Sequence, residues 1–233
     1  MRILVFMSDN RKLAPTLKAA DYNSLSAVIN KEYCKRHGYD FIYYRPYLYE
    51  NTCALYNCRD PNNQDLRHAS WSKLLSTSRA LLEPFDYVVY IDSDCIFKDF
   101  EHKIESFLGP ADILVTNDRP FRKTLPCAGF YICRVNDTSR QFIKDWYNSN
   151  IPQKNTQHTW EQKALDKMMK KPEISLLDNG NFFFDEEGQP LRHLTGATQN
   201  VKKQRIPYLL AFFEKNAIPY DISDIHVEAF STI

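Results

Sequence analysis

Five consecutive apolar residues, Tyr87-Val-Val-Tyr-Ile91, run directly into the acidic triplet Asp92-Ser93-Asp94. A strand without polar alternation is buried on both faces, which predicts a mostly parallel sheet covered by helices on each side. Ligand sites in such sheets lie beyond the carboxyl ends of the strands, where side chains leave the packed core for a crevice. The acidic triplet stands at that position.

The rest of the chain repeats this alternation. Arg2 to Met7 reads as a buried first strand ending in the polar loop Ser8-Asp9-Asn10. Tyr22, Leu25, Ile29 and Tyr33 recur at helical spacing, and Gly38 supplies the stop. Phe41–Tyr44 reads as a second strand before Pro46, and residues 46–66 as a loop. Trp71, Leu74, Leu75, Ser78, Leu81 and Leu82 mark one face of a helix closed by Pro84. Strands follow at Ile113–Thr116 and Gly129–Val135. Helices carry Phe142, Ile143, Trp146 and Tyr147, and then Thr159 to Met169. Phe182–Phe184 and a turn at Glu187-Gly188 suggest a short hairpin. Alternating strands and helices without repeat or linker predict one α/β domain over residues 1–233, a Rossmann-like mixed sheet flanked by helices.

Thirty lysines and arginines against twenty-nine aspartates and glutamates leave a formal net charge of +1. That balance argues against nucleic acid as a partner, since binding it needs a dense cationic surface. Met1 to Met7 is too short an apolar run for a signal peptide, and no stretch reaches the length of a membrane span, so a cytoplasmic protein is the expectation. The six cysteines form no CxxC pair, which gives zinc ligation little support. Cys53 and Cys58 lie close together, but a bridge between them is improbable in a reducing compartment.

Residues two apart in extended chain point the same way, so Asp92 and Asp94 can face one ligand. Two adjacent carboxylates are costly unless a cation joins them. A divalent ion bridging a diphosphate resolves that repulsion and stabilises a departing nucleotide diphosphate as a Lewis acid. The competing reading is a capped turn, since Asp and Ser favour strand-to-helix junctions. A second constellation lies at His193-Leu-Thr-Gly196, followed by Lys202, Lys203 and Arg205. A neutral imidazole is a third metal ligand that tilts preference from Mg2+ toward Mn2+. Gly196 permits close backbone approach to a phosphate, and the cations can bind its oxygens. The competing reading is a surface histidine beside a solvated charge run.

Taken together these motifs resemble a GT-A (nucleotide-diphospho-sugar transferase) glycosyltransferase. The nearest resemblance is to the galactosyl- and xylosyltransferases of family 34, with family 8 as a looser relative. It rests on Asn30-Lys-Glu-Tyr-Cys-Lys-Arg-His-Gly-Tyr-Asp40, on Trp71-Ser-Lys-Leu74 through Tyr90-Ile-Asp-Ser-Asp94, on Cys127-Ala-Gly-Phe-Tyr-Ile-Cys-Arg134, and on Trp160-Glu-Gln162 with His193-x-x-Gly196. The resemblance implies Asp94 and His193 as metal ligands, with Asp92 serving the metal or the ribose hydroxyls. It implies Ser8, Asp9 and Asn10 around the nucleobase, and Ser93, Gly196 and Lys202 near the nucleotide. Lys73 would lie near the nucleotide or brace Asp92, and Ala128 and Gly129 would line the donor sugar. Glu161 and Gln162 would flank the far side of the anomeric carbon. The chain departs from the pattern at Cys127, where the family has asparagine, and at Glu161, where aspartate is usual.

The implied reaction moves a sugar from a nucleotide diphosphate sugar, expected to be a UDP-sugar, to a glycan or glycoprotein acceptor, with Mn2+ or Mg2+ as cofactor. An enzyme without a family-type membrane anchor would be bacterial or viral. An inverting reaction would need a general base, for which Asp118 and Glu161 are the candidates, and the stereochemistry stays open. A sugar nucleotidyltransferase is excluded because Ser8–Ala14 contains no glycine for a phosphate loop. A phosphatase leaves His193-Leu-Thr-Gly196 unexplained. A sugar-nucleotide-binding protein without transfer activity is the remaining alternative.

Overall fold

The computed structural model describes residues 1–47, 58–59, 66–67, 69–118, 122–149, 160–177, 190–194 and 199–231. In chain order the elements are β1 (Ile3–Ser8), α1 (Tyr22–His37), β2 (Asp40–Tyr47), β3 (Cys58–Arg59), β4 (Leu66–Arg67), α2 (Ser72–Ala80), β5 (Tyr87–Ile91), β6 (Cys95–Phe97), β7 (Ile113–Asp118), β8 (Arg122–Arg134), α3 (Asp137–Asn148), α4 (Trp160–Met168), β9 (Ile174–Leu176), β10 (Leu191–His193), α5 (Gln199–Asn216) and β11 (His226–Ser231).

Seven strands form the main sheet in the order β11-β2-β1-β5-β8-β7-β9. Only β8 runs against its neighbours; the other pairings are parallel. The central strands are hidden on both faces, as unbroken apolar runs require. On one face Val5, Met7, Val89, Ile91, Phe130 and Ile132 pack against α1, β6 and α5. On the other, Leu4, Phe6, Val88, Tyr90 and Tyr131 pack against α2, α3 and α4. The result is a three-layer α/β/α domain, the fold class that the alternation predicts.

α1 starts where the Asp21 carboxylate accepts the Ser24 N–H and stops at Gly38, whose φ of 73° is left-handed. That conformation carries no steric cost for glycine, which is why the helix ends there. Midway along α1, the fully buried Asn30 turns to β6: its amide donates to the Cys95 carbonyl at 3.0 Å and accepts the Phe97 N–H at 3.0 Å. Tyr33, one turn later, stacks on Phe97 at 3.8 Å. These contacts fix the short strand that follows the acidic triplet.

Three expectations need correction. The second strand extends to Tyr47, and the segment read wholly as loop contains the small antiparallel ladder of β3 and β4. The strand expected from Gly129 begins at Arg122, with register shifts opposite β7. The ladder of β6 with β10, the helix α5 and the edge strand β11 have no counterpart in the sequence reading. The hairpin expected at Phe182–Gly188 and the loop holding Cys53 lie outside the described residues. Cys34, Cys95, Cys127 and Cys133 are buried free thiols. Among the described residues, no helix is long and apolar enough to cross a membrane.

Replacing Asn30 with leucine would strand the Cys95 carbonyl and the Phe97 N–H, each costing roughly 1–3 kcal/mol when buried without a partner. Chemical denaturation of Asn30→Leu is expected to show a loss of about 2–6 kcal/mol; a loss below about 1 kcal/mol would mean that the amide does not hold β6.

Candidate active site

β5 delivers Asp92 beyond the sheet, where its N–H donates to the Gly129 carbonyl of β8 at 2.9 Å. The Cys95 N–H returns to the Asp92 carbonyl at 2.9 Å, closing a tight turn over Ser93 and Asp94. β6 then pairs antiparallel with β10, setting Cys95 opposite His193. The Leu194 N–H donates to the Asp94 carbonyl at 2.8 Å and extends that register by one step. Backbone pairing across 99 residues thus carries the imidazole to the acidic turn: His193 Nε2 lies 3.2 Å from Asp94 Oδ1.

Arg205 of α5 completes this corner. Its Nη2 is 2.9 Å from Asp94 Oδ2, and its Nε donates to the Leu194 carbonyl at 2.6 Å. Burial works against ionisation of Asp94, but His193 and Arg205 overcome it and hold the carboxyl below its usual range. Burial likewise disfavours charge on the His193 ring, yet Cys95, Asp94 and Cys127 around it push its pKa up.

A second charged group lies beneath. The buried Lys73 ammonium of α2 is 3.0 Å from Asp92 Oδ1 and 3.0 Å from Glu161 Oε1, and it donates to the Ala128 carbonyl at 3.1 Å. The Tyr90 hydroxyl donates to the same Asp92 oxygen. Tyr90 shares Asp92's side of the chain two residues earlier, and a buried tyrosine hydroxyl takes a partner where it finds one. Glu161 is placed by α4, whose backbone carbonyl at that residue accepts the Trp146 indole N–H at 2.7 Å. Burial raises the Glu161 pKa, but Lys73 and hydrogen bonds from Ser70 and Lys73 outweigh it, so the carboxyl is held below the usual range. Gln162, next on α4, accepts the Ala128 N–H at 3.4 Å.

Gly129 joins the two groups. A Cβ there would lie 2.9 Å from His193 Cε1 and 3.1 Å from Asp92 Oδ2. Only a residue without a side chain lets imidazole and carboxylate close over β8, so this glycine answers to a close approach rather than to a turn.

On the outer side, Arg11 pairs with Asp9 through Nε at 2.8 Å, and its Nη2 donates to Ser93 Oγ at 3.3 Å. The Arg11 guanidinium lies 4.4 Å from the centre of the Tyr22 ring, and Arg205 lies 4.8 Å from it. Two cations therefore flank one tyrosine above the acidic turn.

Asp9, Lys73, Asp92, Ser93, Asp94, Ala128, Gly129, Glu161, Gln162 and His193 come together around the ends of β1 and β5 and the middle of β8. Ser8 does not reach the crevice with its hydroxyl, which is shared with Ser76 of α2 at 2.7 Å. Asn10 is exposed, its carbonyl accepting from Arg45 at 3.3 Å. Gly196 and the side chains of Asp118 and Lys202 lie outside the described residues; Asp118 ends β7 and Lys202 is in the first turns of α5. Tyr90, Cys95, Arg11 and Tyr22 are site residues that the motif reading passes over. Arg11 and Tyr22 carry no local signal, whereas the hydroxyl of Tyr90 inside an apolar strand does.

The donor set suits a divalent cation. One oxygen of Asp94, the Cys95 sulphur and a ring nitrogen of His193 lie within 4.8 Å of one another, and the glycine-lined notch at Gly129 leaves the imidazole and Asp92 adjacent.

The sheet order, its single reversed strand and the site beyond β5 define the GT-A fold. A glycosyltransferase involved in glycosylation of the major capsid of PBCV-1 shares it, with a TM-score of 0.64 and 13% identity over 91% of this chain and 100% of that one. The glycosyltransferase GlyE of Streptococcus pneumoniae TIGR4 follows at 0.48 and 15%, over 96% of this chain and 65% of its own. The galactosyltransferase LgtC is similar at 0.48 and 13%, over 91% and 95%. The chain belongs to the family described as "protein of unknown function, DUF273", whose model matches residues 30–175. No curated protein matches it.

The Lys73 group yields a prediction with a pH signature. Lys73→Met leaves Glu161 and Asp92 without their shared counter-charge, a change expected to cost about 3–5 kcal/mol at neutral pH. In the wild type, the depressed Glu161 pKa contributes stability above the unfolded value and loses it as pH falls. In the variant the carboxyl pKa rises instead, so the deficit shrinks on acidification. Denaturation across pH checks this; a deficit that is flat with pH would contradict the pairing.

Proposed function

We propose that this chain is a metal-dependent glycosyltransferase that takes a sugar from a nucleotide diphosphate, with a UDP-sugar the expected donor and a glycan or glycoprotein hydroxyl the acceptor. The observation that carries the reading is the meeting of Asp94, His193 and Arg205 beyond the end of β5. A site that collects a carboxylate, an imidazole and a guanidinium in one crevice suits a cation bridging to an anionic ligand. The fold shared with a solved glycosyltransferase supports the same reading, and the ordered motifs support kinship with family 34.

Asp94 and His193 would hold the cation, Mn2+ or Mg2+, which when bound supplies Lewis acidity to the departing diphosphate. The protein's own groups do the remainder. Arg205, buried beside Asp94, and Arg11, on the outer side, carry guanidinium forks that can donate to phosphate oxygens. Both are preorganised against Tyr22, so little is spent in ordering them when charge develops on the leaving group. Ala128 and Gly129 give a stretch of β8 with no side chain larger than a methyl group, assigned to the donor sugar. Lys73 holds Asp92 at the base of the crevice and fixes Glu161 beside it.

We assign Glu161 a positioning role. A general base works best with a pKa near the operating pH and a lone pair facing the substrate. This carboxylate is depressed and tied to an ammonium, which suits bracing Asp92 and not proton abstraction.

The test is a panel of UDP- and GDP-sugars with Mn2+ or Mg2+, read as release of the sugar and as transfer to oligosaccharide acceptors. Turnover of one donor is expected, abolished by chelation and lowered at least about a hundredfold in Asp94→Asn, the scale on which losing one group that stabilises developing charge acts. The variant should still fold, checked by circular dichroism, with a lowered melting temperature because buried Arg205 loses its counter-charge. Full turnover in Asp94→Asn would remove the cation assignment. Cation-dependent binding of a sugar nucleotide without turnover would identify a binding protein instead.

A further inference from the structure

We infer that Cys95 is a third protein ligand of the cation, giving an oxygen–nitrogen–sulphur site that takes a thiophilic divalent ion such as Zn2+. This inference rests on the cation site of the preceding section and specifies its chemistry.

The observation is a register. Antiparallel pairing of β6 with β10 sets Cys95 directly across from His193, and residues directly opposite in such a ladder project to the same face. Asp94 precedes Cys95, and its backbone carbonyl is bonded to the residue after His193. One oxygen of Asp94, the sulphur and a ring nitrogen therefore cluster within 4.8 Å. In a tetrahedral zinc site, bonds of about 2.0–2.3 Å place donor atoms roughly 3.3–3.8 Å apart. The 3.2 Å between Asp94 Oδ1 and His193 Nε2 is already near that spacing, and the sulphur, within 4.8 Å of both groups, has at most about an ångström to close.

The position of Cys95 is built rather than incidental. The Asn30 amide, itself wholly buried, holds the Cys95 carbonyl at 3.0 Å and so fixes the strand that carries the thiol. A buried cysteine serving only as a small hydrophobe would be surrounded by hydrocarbon. This one belongs to the apolar cluster beneath α1 and also lies within 4.8 Å of an imidazole nitrogen and a carboxylate oxygen. Cys127 reaches the same ring by a hydrogen bond, but it is not one of the three donors clustered within that distance.

Charge also fits. As the sulphur–metal bond forms, the thiol proton leaves to solvent. Thiolate and Asp94 carboxylate then neutralise a 2+ ion while the imidazole stays neutral. Arg205 on the second Asp94 oxygen leaves the group one positive charge in excess, available to a phosphate.

Metal rank order does not test the idea, since Zn2+ outranks Mn2+ at most nitrogen, oxygen and sulphur sites. Detection of sulphur does. The full-length protein is loaded with Co2+ for optical spectroscopy and with Zn2+ for X-ray absorption. The expected result is a near-ultraviolet sulphur-to-cobalt charge-transfer band, lost in Cys95→Ser and kept in Cys127→Ser. Zinc absorption should show one sulphur at about 2.3 Å. Zn2+ affinity should fall in Cys95→Ser by more than the roughly 10–100-fold that an outer-shell partner is worth. If Cys95→Ser does not fold, the zinc spectrum of the wild type decides alone. Bound metal with oxygen and nitrogen neighbours only would overturn the thiol ligand and leave the proposed function standing. Failure of the wild type to bind either ion would overturn both.

Discussion

Three carboxylates, those of Asp92, Asp94 and Glu161, converge at one end of the sheet, and Glu161 is 6% exposed. Ions taken out of water cost several kcal/mol each unless opposite charges meet them with good geometry. Lys73 meets two of the three and Arg205 meets the third. Those two cations come from α2 and α5, which cover opposite faces of the sheet, while Glu161 comes from α4. Compensating charge at the strand ends therefore ties both helical layers to the sheet beside the acidic turn. Stability and chemistry share the same side chains.

The reversed strand makes this geometry possible. In a parallel sheet every strand brings only its carboxyl end to the crevice. Because β8 runs the other way between β5 and β7, an earlier portion of it, Cys127 to Gly129, reaches that end too. Gly129 then sits beside Asp92 with its carbonyl bonded to the Asp92 N–H, and the missing side chain is what admits His193. A methyl group at this point would collide with the imidazole.

Much of this was legible in the chain itself. The unbroken run from Tyr87 to Ile91 announced a strand buried on both faces, and Asp92 to Asp94 marked its open end. α1 declared itself through apolar spacing with Gly38 as its stop, whereas α2 ends at Ala80, short of Pro84, and leaves Ser78 and Leu82 of its expected apolar face exposed. What escaped was non-local. β6 and β10 are three residues each, too short for any period, and they meet only because chain segments almost a hundred residues apart pair. α5 carries Pro207 in its interior, which interrupts the helical pattern, and β11 is an edge strand whose partner is β2, far away in sequence. Cys95 gave no ligand signal because the cysteines form no CxxC pair; its imidazole neighbour His193 lies across the ladder. Lys73 was legible as a brace for Asp92, but not as the counter-charge of Glu161, since four strands and the helix α3 separate the two in the chain.

The central claim is that Asp94 and His193 hold a divalent cation through which a nucleotide diphosphate binds. Calorimetric titration of the wild-type chain with UDP, in Mn2+ and then in excess chelator, tests it most directly. The account predicts saturable binding with Mn2+, its loss in chelator, and its loss in His193→Ala with Mn2+ present. Equal UDP binding with and without the cation, or no binding in either condition, would contradict it.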